Sequence, residues 1–377
     1  MSDWKTYRLG EFIDINPRVT LKQGNEYSFV EMKDLNATFK YVSPSAKREL
    51  KGGSKFQNGD TLFARITPCL ENGKICQVKK LENNVGFGST EFLVFRGKEN
   101  VSDNDFVYYL SRSEFVKNNA VQMMTGTSGR QRVEKSALEQ LEITAPGLPT
   151  QRQIAQILSS LDDKIELNLQ MNQTLEAMAQ AVFKEWFVDF KFPGFDGELV
   201  DGLPKGWRMG SFEELTDIKT GKGLKRTEFK PDGIYPIIGA NGELGRTDEY
   251  LLDDKLLLTG RVGTLGSIKI SYGKKWYSDN VLIMKPYKYF YFSYFNLKAI
   301  DMNSLNRGST QPLVTQTDLK NYLTLIPSEE ILLLFEKTVN EIFEKIFFND
   351  IQIQTLTQTR DILLPKLMSG KMRLNCD

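Results

Sequence analysis

Arg65-Ile66-Thr67-Pro68 and Glu71-Asn72-Gly73-Lys74 place a guanidinium, a hydroxyl, an amide and an ammonium in one strand–loop–strand unit. An Arg fork matches the two acceptors of guanine, and an Asn or Gln amide matches adenine. Thr and Lys serve phosphates or base edges. Arg261-Val262-Gly263-Thr264 stands at the matching place further along the chain. Two more sets echo each other, Thr125-Gly126-Thr127-Ser128-Gly129-Arg130-Gln131 and Arg307-Gly308-Ser309-Thr310-Gln311. Small residues there let backbone amides approach phosphate, while Arg and Gln reach beyond. Lys222 and Lys225 belong to a basic run that also holds Lys219, Arg226 and Lys230, and Lys33 follows a strand-like stretch. The candidate DNA contacts read this way are Lys33, Arg65, Thr67, Asn72, Lys74, Thr127, Ser128, Arg130, Gln131, Lys222, Lys225, Arg261, Thr264, Ser309, Thr310 and Gln311.

Catalytic chemistry is poorly represented. With no histidine, His-based acid–base catalysis, catalytic triads and ordinary His metal sites are excluded. No Gly-Lys pair is followed by Ser or Thr, so no phosphate-binding loop of the ATPase type is present. The one Asn-Pro, Asn16-Pro17, leads into Arg18 and does not form an amino-methyltransferase motif, and Gly86-Phe87-Gly88 is too short for a cofactor loop. One nuclease-like fragment remains. Asp14 with Glu31-Met32-Lys33 has the residue types of a metal nuclease, two acids for the metal and a Lys for the nucleophile. Glu-x-Lys also arises readily by chance, and Lys33 reads better as a DNA-facing residue after a strand.

Lys and Arg number 49 against 48 Asp and Glu, which excludes a polybasic coat but not a basic strip on one face. Three cysteines make neither a disulfide framework nor a metal quartet, so a reducing cytoplasm is expected. Met1-Ser2-Asp3-Trp4-Lys5 carries no secretory pattern, and the apolar runs fall far short of the roughly 18 residues of a membrane span.

The elements that must position these residues come in two copies. Ser128, Val133, Leu138, Pro146, Lys164, Ile165, Asn168, Gln173, Thr174 and Leu175 recur, without a gap, 181 positions later. Upstream, Trp207-Arg208-Met209-Gly210 echoes Tyr7-Arg8-Leu9-Gly10, and Leu257 to Val262 echoes Leu62 to Ile66. Residues 61–66 and 91–95 read as strands, residues 105–120 as a helix, and each copy as a compact α+β block.

From Pro149 to about Phe190 the period turns helical. Ile154, Leu158, Leu161, Ile165, Asn168, Leu175, Ala179, Val182 and Trp186 form one stripe. A Pro- and Gly-rich linker follows. Ser328 caps a second helix running to about Met368 on the stripe Phe335, Val339, Ile342, Ile346, Asn349, Ile353, Leu356, Leu363 and Leu367. Each narrow seam needs a partner, and the other helix supplies it, antiparallel if a pseudo-dyad relates the copies. Ile165 and Ile346 are seam positions, as are Asn168 and Asn349. The two Asn either lie buried and fix the register or sit solvated at the seam's edge. Trp186, Phe187 and Phe190 either pack on the adjoining block or form a docking surface for a partner protein. A pseudo-twofold molecule suits a target in two halves, of which DNA is the commonest.

The layout resembles the specificity (S) subunit of Type I restriction-modification systems. The residues carrying the resemblance are Leu148 to Ala155, Leu161 to Asn168, Lys184 to Phe190 and the closing Leu363 to Lys371. Gly221-Lys222-Gly223-Leu224 with Gly239-Ala240-Asn241-Gly242 resembles one common type of target recognition domain, which adds Asn241 to the candidate contacts. The resemblance implies an α+β fold, a pseudo-twofold tandem repeat of two globular target recognition domains separated by two long antiparallel helices as a coiled coil. Its expected parts are recognition domain 1 (1–148), the central helix (149–190), a linker (191–204), recognition domain 2 (205–327) and the distal helix (328–377).

The resemblance also implies a non-catalytic, cytoplasmic subunit that binds a bipartite sequence in double-stranded DNA. It would hold two modification (adenine N6 methyltransferase) subunits and the restriction (translocase and nuclease) subunits. No cofactor or metal is expected on this chain, and no membrane partner. S-adenosylmethionine, ATP and magnesium are expected on the partner subunits. The alternatives are a non-enzymatic coiled-coil adaptor that binds proteins, and a stand-alone metal-dependent nuclease using Asp14, Glu31 and Lys33.

Overall fold

The computed structural model describes residues 4–127, 129–262, 265–308 and 312–372. Five candidate contacts, Ser128, Thr264, Ser309, Thr310 and Gln311, lie outside the described residues. The described residues up to Met171 join those from Phe348 onward in one compact unit, and Asn172–Phe347 form the other. Each unit therefore contains one globular block together with one end of each long helix.

In the first unit a five-stranded sheet runs in the order Ile13–Ile15, Phe92–Gly97, Thr61–Ala64, Ile75–Val78, Tyr41–Val42. Thr61–Ala64 is wholly buried because elements cover it from either side. Strand alternation sends Phe63, Leu93, Phe95 and Ile75 into the core shared with helix Asn104–Arg112. Leu62, Val94, Cys76 and Val78 go to the opposite core with Val30 and Phe56 of a second sheet, ordered Ala46–Glu49, Glu26–Val30, Val85–Gly88, Ser54–Gln57. Gly86-Phe87-Gly88 is thus a central strand. A Cβ on Gly86 would stand 2.7 Å from the Ser28 carbonyl oxygen, which explains glycine there. The helix expected over 105–120 is two helices. Asp103 caps Asn104–Arg112, the chain turns at extended Ser113, and the Ser113 hydroxyl accepts from the Val116 amide to start Glu114–Gln122.

The second unit repeats this plan. Its first sheet is ordered Thr216–Thr220, Val281–Pro286, Leu256–Gly260, Lys269–Ser271, and its second Gly242–Thr247, Tyr235–Gly239, Lys274–Tyr277, Leu252–Asp253. The second sheet of each unit contains one parallel pair, Glu26–Val30 with Val85–Gly88 and Tyr235–Gly239 with Lys274–Tyr277. Helix Phe290–Ala299 replaces Asn104–Arg112. The closing strand pairs match as well, Lys5–Arg8 with Glu142–Ala145 and Arg208–Ser211 with Leu323–Ile326.

Those pairs correct one reading of the sequence. Arg8 lies opposite Glu142 and Ser211 opposite Leu323, so Arg8 corresponds to Ser211 and not to Arg208. The amides of Arg8 and Ser211 both donate to a Glu three residues on, Glu11 and Glu214, the cap that turns the strand into a short helix. The Tyr7-to-Gly10 echo in Trp207-to-Gly210 is off by three residues.

From Lys135 onward the copies keep one offset. Helices Lys135–Glu139 and Gln316–Lys320 and the long helices Leu148–Phe187 and Glu329–Met368 each begin and end 181 positions apart. Within each unit the long helices pair with opposite chain sense. In the first unit Asn168 meets Gln352 and Asp162 meets Arg360. In the second, Trp186 packs on Phe335, while Ala179 and Phe343 share one apolar core. Asn168 and Asn349 are both buried, so the solvated-edge reading of these residues is set aside. Asn168 donates to Gln352 Oε1 at 2.7 Å. Ile165 is buried and Ile346 half-buried on the same seam.

The reading of Trp186, Phe187 and Phe190 as a docking surface is overturned. Trp186 and Phe187 are 8% and 5% exposed. Phe187 packs at centroid distances of 4.8 Å from Phe292, 5.0 Å from Phe335 and 5.8 Å from Trp207, and half-buried Phe190 closes on Trp207 at 5.7 Å. This aromatic cluster joins the end of the first long helix to the second globular block, and packing within it takes up the faces of Trp186 and Phe187.

Candidate nucleic-acid interface

Two candidate sets that lie far apart in the sequence form one site in the first unit. The segment after Thr61–Ala64 is clasped by the loop Thr125–Val133. Val133 N donates to Arg65 O at 2.9 Å, Thr67 N to Gln131 O at 3.1 Å, and Gln131 N to Thr67 Oγ1 at 3.1 Å. Thr125 and Arg132 exchange both backbone hydrogen bonds, making a hairpin whose tip carries exposed Thr127 and Arg130. Arg65, Thr67, Thr127, Arg130 and Gln131 therefore belong to a single surface feature.

The second unit builds the same clasp. Val314 N donates to Arg261 O at 3.0 Å, and the bridge Val262–Leu313 matches Ile66–Arg132. Arg261 is thus the counterpart of Arg65, as its sequence context suggested. Further backbone bonds gather the remaining candidates beside it. Arg261 N donates to Asn280 O at 2.9 Å, Gly221 N to Val281 O at 3.0 Å, Lys222 N to Tyr277 O at 2.8 Å and Ser278 N to Ile238 O at 2.9 Å. A Cβ on Gly221 would collide with the Tyr277 and Ser278 carbonyls, so the backbone approaches closely only because this residue is glycine. Exposed Lys222 sits in this cluster, and exposed Asn241 lies in the turn between Tyr235–Gly239 and Gly242–Thr247. Lys225 is exposed at the start of the Arg226–Glu228 turn.

Side chains separate the two clasps. In the first unit Arg132 donates from Nε to Glu91 Oε2 at 2.9 Å and from Nη2 to Glu91 Oε1 at 2.7 Å. Arg65 donates to Glu134 at 3.0 Å, with its Nε 3.9 Å from Glu91. The Arg132 hydrogen bonds, helped by the charge of Arg65, hold the Glu91 carboxyl below the usual carboxylate range. In the second unit these places hold Leu313, Asn280 and Thr315. The two clasps share one feature, since Arg65 Nε and Arg261 Nε are both buried with no hydrogen-bond partner among the described residues.

The other candidates lie elsewhere in the first unit. Lys33 is exposed on the turn Met32–Asp34 and pairs with Glu31. Lys74 is turned inward, donating to the Met32 carbonyl at 2.8 Å. Asn72 is exposed in the turn that leads to Ile75–Val78. The nuclease reading loses its geometry. Asp14 stands on the first sheet near Lys98, whereas Glu31 leaves the second sheet and is engaged by Lys33 and Arg48. No acidic, Cys or His cluster able to hold a metal occurs among the described residues.

Sequence reading missed Arg132, Glu91 and Glu134. Arg132 directly follows Gln131, so the signal was a run cut one residue short. Glu91 and Glu134 needed the tertiary fold.

The model of the Type I restriction modification DNA specificity domain matches residues 1–177 and again residues 204–359. The chain is 28% identical to the Type I restriction enzyme HindI specificity subunit of Haemophilus influenzae, over 99% of this chain and 100% of that one. It is 25% identical to the MjaIX specificity subunit of Methanocaldococcus jannaschii, over 99% of this chain and 94% of that one. In fold it is similar to the crystal structure of the Type-I restriction-modification S subunit from M. genitalium. The TM-score is 0.54 at 18% identity, covering 97% of this chain and 96% of the other. Matched twice by one family, over two segments that fold as two copies of one plan, this chain belongs to the Type I restriction modification DNA specificity domain family.

Proposed function

We propose that this chain is the DNA-reading, non-catalytic subunit of a Type I restriction-modification complex. Each globular block reads one half of a bipartite duplex sequence, and the long helices join the two readers. The single observation that carries this reading is the duplication. One backbone clasp, around Arg65 and around Arg261, is built twice with different side chains inside one family architecture. Shared scaffolds with different reading groups are what two unlike half-sites require.

The chain holds two modification subunits, which supply S-adenosylmethionine-dependent methylation of adenine N6. The restriction subunits, which use ATP and magnesium, complete the complex. The chain itself carries no cofactor and works in the cytoplasm. No described helix is long and apolar enough to cross a membrane.

The test is co-expression with the modification subunits, followed by mapping of methylated adenines. A bipartite methylated motif is expected only when this chain is present. Exchanging residues 205–327 for the same block of a relative should change one half of that motif and leave the other intact. Methyl transfer by this chain alone, or a change in both halves, would overturn the proposal.

A further inference from the structure

The hairpin Thr125–Val133 presents a guanidinium that no motif had singled out. Arg132 uses the Nε–Nη2 edge of its fork for the two oxygens of Glu91. Its Nη1 makes only a long 3.4 Å contact to the Arg130 carbonyl, and the side chain is 37% exposed. The remaining Nη1–Nη2 edge thus keeps two donors in one plane, fixed in direction by the carboxylate behind it. A fork held in this way has lost most of its rotamer freedom before it meets a ligand. Two coplanar donors at that spacing match the O6 and N7 acceptors of guanine. The second unit supplies the contrast. Its clasp shares the bond from Val314 N to Arg261 O, the bond from Arg261 N to Asn280 O and the Val262–Leu313 bridge, but the position of Arg132 holds Leu313 and that of Glu91 holds Asn280. The two copies differ in side chain at this place while sharing the backbone bonds that anchor it, which is where a reader of unlike half-sites has to differ.

Resting on the function proposed above, we propose that Arg132 reads a guanine in the first half-site, with Glu91 as its positioning residue. The proposal distinguishes base reading from phosphate contact. A lysine keeps the charge that a phosphate needs but lacks the planar fork that Glu91 holds in one direction, so it selects guanine less sharply.

The experiment uses the full chain assembled with its modification subunits, acting on a library of duplexes in which every position of the motif is randomised. Methylated products are then sequenced for the wild type, R132K and E91Q. The wild type is expected to require guanine at one position of the first half. R132K should relax that preference by on the order of 5- to 150-fold, with the other positions of that half and all of the second half unchanged. E91Q should relax the same position, because a neutral amide puts an NH2 donor where the second carboxylate oxygen meets Nε, leaving one acceptor and no charge to hold the fork. If R132K does not fold, E91Q decides alone at that position. Equal loss across all sequences, or an unchanged profile in the folded variants, would overturn the proposal and leave Arg132 as a phosphate contact or a structural ion pair. A wild-type complex that selects no bipartite motif would instead overturn the underlying function, and this inference with it.

Discussion

Arg360 donates from Nη1 to Asp162 Oδ1 at 2.7 Å, and both side chains are almost wholly buried where the two long helices meet the first globular block. The same nitrogen reaches the Thr38 carbonyl at 2.8 Å, and Tyr109 Oη donates to Asp162 Oδ2 at 2.6 Å. The constant offset of 181 makes Phe343 the counterpart of Asp162, and Ala179 the counterpart of Arg360. Those two lie in the apolar core of the second unit, where Tyr291 stacks on Phe343 at 4.2 Å. One crossing is ionic and the other apolar. A helix paired with a copy of itself would set Asp162 against Ala179, a buried carboxylate with no cation.

Removing one partner of a buried pair leaves the other charge uncompensated. Arg360→Ala should therefore cost about 3–5 kcal/mol of stability. The double change Asp162→Asn with Arg360→Met removes both charges, and it should recover most of that loss. Thermal or urea unfolding of the two variants beside wild type checks this. A double variant no more stable than Arg360→Ala would show that the pair is not the source of the loss.

Arg261 lies within the second clasp, and Arg261→Ala should cost about 1–3 kcal/mol of discrimination at one base position of the second half-site. The first half should be untouched. Arg65 is tied to Glu134 and Glu91, so Arg65→Ala should also loosen the hairpin that carries Arg132. Its effect is expected to spread over neighbouring positions of the first half. Competition binding with single-base variants of the target separates the two patterns. Uniform weakening by Arg261→Ala across all sequences would make it a phosphate contact.

Lys255 gives the second unit a pH dependence. Its ammonium lies 4.0 Å from the ring centres of Phe290 and Tyr291 and donates to Tyr291 Oη at 2.9 Å. Burial pushes its pKa down to about 8, and the charges of Glu336 and Glu344 offset this only in part. Between pH 8 and the unfolded value of about 10.4, the unfolded chain holds more protons at this site than the folded one, so stability rises with pH there. Lys255→Met removes the cost of burying the charge. The variant should be more stable than wild type at pH 7, with the difference shrinking as pH rises through 8 and toward 10. Melting temperatures of both proteins across that range provide the check. A difference that stays constant with pH would mean that Lys255 does not titrate as described.

Local sequence made the helices and the repeat legible. Pro149 and Ser328 marked two starts, and the seams from Ile154 and Phe335 held their period to the ends observed at Phe187 and Met368. Arg261 was matched to Arg65 because both follow a short apolar strand. Ser113 hid a break because one serine within a helical pattern is weak punctuation until its cap bond is seen. Trp186 and Phe187 looked like a docking surface because their partners, Trp207, Phe292 and Phe335, come from three distant segments. The clasp joining Arg65 to Gln131 was illegible for a similar reason. All but one of its bonds are main-chain pairs between residues 64 or more positions apart, and main-chain groups leave no mark on side-chain identity.

The length of the paired helices should set the unread gap between half-sites. An insertion near Phe190, on the first helix alone, is expected to fail, because Trp186 and Phe187 anchor that end in the second core. The pairing of Asp162 with Arg360 in one unit and of Trp186 with Phe335 in the other fixes the helices in register in both units. Lengthening must therefore be matched on the two strands of the pair, at about Met171–Asn172 and Phe347–Phe348, where the units divide. Four residues added at each place extend each helix by about 6 Å. That is close to two base pairs at about 3.4 Å each. Four residues also turn a helix by roughly 40° beyond one full turn, which a flexible duplex target can follow. The doubly inserted chain should direct methylation to the same half-sites with a gap about two base pairs longer. Inserting four residues on one helix only should instead lower the melting temperature, because one unit or the other loses its register. Methylation mapping beside thermal unfolding decides the matter, and a folded, active double insertion with an unchanged gap would mean that the helices do not set the spacing.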